Sequence, residues 1–454
     1  MKGDLQSFVE ELERAGELLR IKEELSTRFE IAAAIKYIAY PRGKAILIEK
    51  PKGYDVPVVG NLFGSLKFLS LALGVPEGEV ISAFRERVRN FVEPRIVNSG
   101  PAQEVIVEDV DITRELPVLV HHERDAGPYF TSAFTVAKDP ETGARGMGLH
   151  RIQVKGKDKI GIFLATPPLS SFLAKAERMG KPLEIAIVSG ADPLTFCASI
   201  VYAPGIDKFG IAGGLRGEPV ELVRCKTVDL EVPANAQFVL EGEILPGERE
   251  EEGPFGESSG YYFTYNNPVG RIKLITRRRE PLYYALVPFG PEEEVLLNLV
   301  LERISVSELK ERFPEVVDLA FESLGMMGIV QIEKRDEERP REILRYLLES
   351  DEYIKIAVVV DTDIDIRNLR EVNWALTTRV DPERDVFIFG DMPASLIDPA
   401  GRGEEIRPER QEHMIRIAKA SKMGIDATKP LKERERFEKV DVPRDVRERV
   451  RKLL

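Results

Sequence analysis

Leu5, Phe8, Val9 and Leu12 repeat at helical spacing behind Asp4, which predicts an amphipathic first helix capped by that aspartate. Apolar runs at 45–48 and 56–59 predict short buried strands, so the chain up to about residue 100 reads as an N-terminal α/β domain. Between about 101 and 290 the pattern becomes that of strands broken by turn signals: EVIVEDVDI, TSAFTVAKD running into DPETG, HRIQVKGKDKIGIFLA, EIAIVSG, RCKTVDLEV, FVLEGEI and RIKLITRRREPLYYALV. That region predicts a mainly β barrel or sandwich with one inserted helix near 170–178. From about 291 to 454 helices near 292–303, 306–312 and 340–349 alternate with strands near 355–360 and 386–389, a C-terminal α/β domain. Val446, Val450, Leu453 and Leu454 give the last helix an apolar stripe too thin for a core, which predicts docking on another subunit.

Composition narrows the function classes. The 454 residues, 43% of them apolar, are enough for two or three cores, since single cores stop growing beyond roughly 250–300 residues. A net charge of −12 argues against nucleic acid or an anionic membrane as the partner. Cys197 and Cys225 are too few for a disulfide framework, and His121, His122, His150 and His413 are the whole histidine supply, so a metal site would have to lean on carboxylates. No apolar stretch approaches about 18 residues and the first residues lack the apolar core of a signal peptide, which predicts a soluble, cytoplasmic protein without a membrane span. Abundant Glu, Arg and Lys with little Cys resembles a thermophile's surface.

Several motifs lack their required context. Gly256-Glu257-Ser258-Ser259-Gly260 matches a serine-hydrolase elbow, but EREEEGPF precedes it, the strand-like YYFTY follows, and only His413 lies downstream to complete a triad. Asp361, Asp363 and Asp365 imitate a calcium loop whose sixth position is Ile366 instead of Gly and whose twelfth is Val372 instead of Glu; a strand-to-helix turn with an Asp capping the next helix is expected. GIAGGLRG has neither dinucleotide-binding nor P-loop spacing. His121 and His122, beside Glu123 and Asp125, are expected to be hydrogen-bonded loop residues, because adjacent strand residues face opposite ways.

Glu252-Gly253-Pro254-Phe255-Gly256-Glu257 is the most informative segment. Two carboxylates flank a turn that cannot continue a helix, so a rigid loop can hold both toward one side. Close carboxylates repel, which raises one pKa and makes a proton donor, and an arginine between them would keep the other ionised.

EGPFGE followed by SSGYY, with HHERDAGPYFTSAFTVAKDPETG, GLHRIQV, GADP, AGGLRGEPVELV, LEVPA, EVNWALTTR and IDAT, resembles the UbiD family of decarboxylases over nearly the whole chain. The resemblance implies an α+β multidomain chain, with a central split β-barrel binding prenylated FMN flanked by N-terminal and C-terminal α/β domains. It implies non-oxidative, reversible decarboxylation of an aromatic or α,β-unsaturated acid, a flavin prenyltransferase as cofactor supplier, and a homodimer or higher oligomer. By motif, Arg151 is the arginine of a Glu-Arg-Glu network, Glu252 its supporting carboxylate and Glu257 the acid that protonates the product carbon. The strand Gly148-Leu149-His150-Arg151 and the strand Phe163-Leu164-Ala165 are expected along the flavin, with Ser199 and Ile200 near its phosphate.

Most family members hold that phosphate through a divalent metal, usually manganese, with Asn, His and Glu ligands. Here those positions carry Gly146, Pro167 or Pro168, and Lys208. The expectation is metal-independent phosphate binding with Lys208 as a main counter-charge, Asp207 being the nearest carboxylate if a metal is bound after all. The resemblance leaves hydroxybenzoates and trans-anhydromevalonate 5-phosphate both open as substrates. The competing reading is a non-catalytic paralogue that binds flavin or another phosphate ligand as an accessory subunit; retention of Arg151, Glu252 and Glu257 argues against it.

Overall fold

The structure, a computed structural model, describes residues 3–300, 304–408, 414–440 and 442–451. The chain forms two compact units: Met1–Arg303 with Ser323–Gly325 and Ser395–Lys419, and Ile304–Glu322 with Met326–Ala394 and Ala420–Leu454.

In the first unit the helix Leu5–Arg14 starts where the sequence places it: the Asp4 side chain accepts the Ser7 N–H at 2.9 Å, and Leu5, Phe8, Val9 and Leu12 are buried. A four-stranded sheet follows in the order Leu18–Leu25, Ala45–Pro51, Val58–Gly60 and Tyr283–Ala285. The dominant element is a nine-stranded sheet in which every pairing is antiparallel. Its order begins Tyr129–Phe130, Ile152–Val154, Lys159–Ile162, Tyr262–Arg277 and Phe238–Gly256, then runs on through Leu183–Ser189 and Ala133–Lys138 to Arg145–Leu149, and the ninth strand, Val105–Val107, pairs with Tyr262–Arg277 off this path. Only His150 and Arg151 separate Arg145–Leu149, at one end of that order, from Ile152–Val154, next to the other. Three chain steps reach roughly 10 Å. The sheet therefore has to curl until its two ends approach, a half-barrel with His150 and Arg151 at the closure.

One inserted helix was expected in this region, and Leu169–Arg178 is that helix, but Pro193–Ile200 and Lys208–Arg216 are helices too. All eight residues of Pro193–Ile200 are buried, so no polar face exists to reveal a 3.6-residue period. The glycine-rich run is a helix pressed against the chain at 90–92. A Cβ on Gly213 would stand 2.5 Å from the Val92 carbonyl oxygen, and one on Gly214 only 1.7 Å from that of Asn90. These glycines serve close packing.

In the second unit the sheet order is Val316–Glu322, Met327–Ile332, Ile356–Asp361, the part of Met414–Ala427 from Ala420 on, and Val386–Ala394. The strand IAVVVD is apolar at successive positions because both its faces are covered. Ala357 and Val359 join a cluster with Ile343, Leu344 and Leu347 of helix Arg339–Ser350, whereas Val358 and Val360 join one with Val372 and Ala375 of helix Leu369–Arg379. The turn after Asp361 is as expected, but Asn368 caps the following helix, not an aspartate. Asp361 and Asp363 are instead held by Arg379 at 3.0 and 2.8 Å. The last helix is Arg444–Arg451; Leu453 and Leu454 of its expected stripe lie outside the described residues, as does His413. No helix among the described residues is long and apolar enough to cross a membrane.

Candidate active site

Glu252 and Glu257 are five residues apart, which in a regular strand would place them on opposite faces. The strand Phe238–Gly256 pairs Glu252 with Tyr265 but Phe255 with Phe263, so one extra residue is accommodated between them. This β-bulge returns the later residues to the face that carries Glu252. The segment between the carboxylates is thus a bulge within a continuing strand, where the sequence suggested a turn; the turn comes after Gly256, closed by Glu257 N–H to Tyr261 O at 2.9 Å. Gly253 makes the bulge possible. Its φ is +114°, and a Cβ there would lie 2.5 Å from the Phe263 carbonyl oxygen.

Arg151 closes the arrangement. Its Nε donates to Glu252 Oε1 at 3.1 Å, Nη2 donates to Glu252 Oε2 at 2.6 Å, and Nη1 donates to Glu257 Oε1. The guanidinium also lies 4.6 Å from the ring centroid of Phe163, 5.1 Å from that of Phe255 and 5.8 Å from that of Tyr265. Glu252 has no solvent exposure, and Arg151 and Glu257 are nearly as buried. Burial opposes the charge of Arg151, but the carboxylates of Glu257 and Glu252 outweigh it and raise the guanidinium above its ordinary value. The site is a buried cation spanning two acids on an aromatic wall, a geometry able to orient an anionic group and pass a proton.

The structure moves some expected residues out of strands. His150 and Arg151 lie in the gap between Arg145–Leu149 and Ile152–Val154, and Phe163, Leu164 and Ala165 lie just past the end of Lys159–Ile162. Phe163 N–H still donates to Arg151 O at 3.2 Å, so the two segments remain adjacent. Gly148, Leu149, His150 and Lys208 form a second cluster with Ser199. The imidazole of His150 occupies the space any Cβ on Gly148 would need, with Nε2 2.8 Å away. Among the described residues that buried nitrogen has no hydrogen-bond partner. Burial first, then the Lys208 ammonium, push the imidazole down to about 4, so it is neutral at neutral pH. Lys208 is itself buried and donates from Nζ to Ser199 O at 2.9 Å, while Ile200 ends the same buried helix.

Gly146 and Pro168 do meet, but as an apolar contact: a Cβ on Gly146 would be 2.7 Å from Pro168 Cγ and 2.7 Å from the Phe172 ring. Asp207 caps helix Lys208–Arg216 and accepts the Arg145 Nε–H at 3.1 Å. Among the described residues, no group of three or more His, Cys, Asp or Glu side chains is placed to hold a metal ion. Proline, glycine and an ammonium do not form a divalent-metal donor set.

Sequence reasoning missed four supporting residues. Asp125 accepts N–H groups from Gly256 at 2.9 Å, His122 at 2.8 Å and His121 at 3.2 Å, bracing the chain just before Glu257. The two histidines are loop residues as expected; their backbones make those bonds, His121 Nε2 lies 3.4 Å from the Thr131 hydroxyl, and among the described residues neither Nδ1 atom has a hydrogen-bond partner. Glu293 accepts the Ser258 hydroxyl at 2.8 Å and the Phe289 N–H at 2.6 Å; burial pushes its carboxyl up to about 8, to which the charge of Glu257 contributes. The Tyr129 phenol is raised by burial and by Glu252 beside it. Asn267 donates from Nδ2 to Glu252 Oε2 at 2.8 Å. Only Asn267 had a legible signal, the alternation Phe263, Tyr265, Asn267 along one strand face.

Three family models match in chain order: the 3-octaprenyl-4-hydroxybenzoate carboxy-lyase N-terminal domain over 9–88, its Rift-related domain over 95–291 and its C-terminal domain over 295–427. A protein of Archaeoglobus fulgidus is 35% identical over 94% of this chain and 92% of its own length. The UbiD-class enzyme HmfF from Pelotomaculum thermopropionicum, solved in complex with FMN, is 37% identical with a TM-score of 0.88 over 97% of this chain and 98% of its own. Vanillic acid decarboxylase from Sedimentibacter hydroxybenzoicus is 33% identical with a TM-score of 0.85 over 99% of this chain and 98% of its own. With the Glu-Arg-Glu cluster formed at the positions that motif predicts, the chain belongs to the UbiD family and is a carboxy-lyase.

Proposed function

We propose that this chain is a prenylated-FMN-dependent, non-oxidative and reversible decarboxylase of an aromatic or α,β-unsaturated carboxylic acid. The observation that carries the reading is Arg151 bridging Glu252 and Glu257 on one face of the curled sheet. HmfF has been solved with FMN and, in an evolved dimeric form, with prenylated FMN, which supports the same cofactor here. The residues suit it: a buried ammonium on Lys208, an unpartnered buried nitrogen on His150 and a glycine at 148 offer a lined cradle for a flavin phosphate. When bound, prenylated FMN supplies the electron sink for decarboxylation.

The chain's own residues do the rest. Arg151, fixed by the two bonds it donates to Glu252, presents positive charge to the substrate carboxylate against the Phe163 and Phe255 rings. The bond from the substrate carbon to its carboxylate breaks and CO₂ leaves. Protonated Glu257 gives its carboxyl proton to that carbon, and the carboxylate it becomes is met by Arg151. The aromatic wall and the burial of all three residues exclude water from the exchange.

Phosphate binding on this reading needs no divalent metal. Lys208 supplies the counter-charge, and an apolar contact of Gly146 with Pro168 and Phe172 stands at two of the positions where the family carries ligands. The last helix, Arg444–Arg451, serves self-association.

The test is co-expression with a flavin prenyltransferase, followed by flavin absorbance, elemental analysis and CO₂ release from hydroxybenzoates and from trans-anhydromevalonate 5-phosphate. Bound prenylated flavin with CO₂ release from one of these acid classes supports the reading; flavin without turnover on either counts against it. Stoichiometric manganese, or a Lys208→Ala variant that keeps its flavin and activity, would overturn the phosphate proposal.

A further inference from the structure

The Glu-Arg-Glu cluster is continued on one side by groups outside the family motif. Asn267 is fully buried two residues along from Tyr265, the cross-strand partner of Glu252, so its side chain reaches Glu252 diagonally. Its amide is used in both senses. Nδ2 donates to Glu252 Oε2 at 2.8 Å, and Oδ1 accepts the Arg416 Nη1–H at 3.2 Å. Arg416 is in turn anchored by Glu404, its Nε donating to Oε1 at 2.8 Å. Its guanidinium sits 5.9 Å from the Phe163 centroid and 5.7 Å from that of Tyr265, the same rings that contact Arg151. Two further bonds fasten this part of the chain beside the site: Arg416 N–H to Ala165 O at 3.4 Å, and Tyr265 OH to Leu396 O at 2.6 Å.

Resting on the decarboxylase reading, we propose that Asn267 and Arg416 are positioning residues for the reaction, holding Glu252, and through it Arg151, in the alignment that serves the substrate carboxylate. Glu252 is bonded to Arg151 through both oxygens, so a swing of its carboxylate about the side-chain bonds would carry the guanidinium off the Phe163 and Phe255 rings. Asn267 blocks that swing by donating to Oε2, and Arg416 fixes which way the amide faces. The amide donates to one charged partner through its nitrogen and accepts from the other through its oxygen. Aspartate would set a second carboxylate against Glu252, and leucine would leave Oε2 with one bond fewer.

The test uses the protein loaded with prenylated FMN and compares Asn267→Ala, Arg416→Gln and Arg416→Lys with wild type. Loss of one hydrogen bond to a buried charge corresponds to a drop of about tenfold to a hundredfold in kcat. The expected result is that drop in Asn267→Ala, a smaller one in Arg416→Gln, partial rescue in Arg416→Lys, and KM and flavin content within about threefold of wild type. A structural defect alone would not split kcat from KM or be rescued by lysine. Arg416 is partly exposed, so its variants remain informative if Asn267→Ala fails to fold. Both variants within about twofold of wild-type kcat would overturn the proposal. If wild type decarboxylates nothing, the functional reading falls. The Arg151 Nε–H resonance then decides the positioning claim alone: faster solvent exchange in Asn267→Ala and Arg416→Gln upholds it, unchanged exchange refutes it.

Discussion

Replacing Arg151 with methionine isolates the electrostatics of the site from its packing. Methionine keeps much of the contact with Phe163 and Phe255 while removing three donors and the charge. Glu252, without solvent exposure, then keeps the Asn267 amide but loses its counter-ion. Breaking a buried pair by removing one partner costs about 3–5 kcal/mol, because the other charge stays behind. At about 2–4 °C per kcal/mol, melting of the flavin-free protein should fall by roughly 6–20 °C. Adding Glu252→Gln removes the stranded charge, so the double variant should recover all but about 1–2 kcal/mol. Calorimetry of the two variants between pH 5 and 8 is the assay. A single variant within about 1 kcal/mol of wild type, or a double variant no more stable than the single, would refute the claim that Glu252 is a buried charge held by Arg151.

Further expectations follow from the same geometry. Gly253→Ala puts a Cβ into the Phe263 carbonyl at φ +114°, so it should cost about 2 kcal/mol or more and abolish activity by moving Glu257 relative to Glu252; unchanged melting and turnover would remove the bulge from the account. Burial raises Glu293 from 4.5 to about 8, so the folded state keeps a proton the unfolded chain releases, and stability falls as pH rises across that window. Glu293→Gln should flatten that fall in pH-dependent melting, and an unaltered profile would contradict it. His121, pushed down to about 3 by burial, works in the opposite sense: its contribution is present above about 6.5 and lost as pH falls toward 3. His121→Gln should therefore be less sensitive to acid than wild type, as followed by calorimetry.

What the sequence revealed and concealed has physical causes. The first helix was legible because its cap and four apolar residues are local, and so were the second unit's helices near 306–312 and 340–349 and its strands near 355–360 and 386–389, whereas Val316–Glu322, Met327–Ile332 and Met414–Ala427 were not predicted as strands. The helix Lys208–Arg216 was hidden because its glycines answer to the chain packed against it, which no local pattern reports. Glu252 and Glu257 stood out as carboxylates flanking a turn able to hold both toward one side, and resemblance supplied Arg151 and the roles; what brings the two acids to one face is the bulge at Gly253 within a continuing strand, where a turn was expected. Arg151 was expected in a strand but occupies the gap where the curled sheet closes, a consequence of strand order. Asn267 and Asp125 escaped because their roles are hydrogen bonds to residues far away in sequence.

The central claim is that Glu257 delivers the proton in a decarboxylation organised by Arg151 and Glu252. Its most direct test is CO₂ release by wild type and Glu257→Gln, each loaded with prenylated FMN and matched for flavin content, on whichever acid the wild type accepts. The account predicts a loss of about a hundredfold or more in Glu257→Gln with flavin retained. Equal CO₂ release by the two proteins would contradict it.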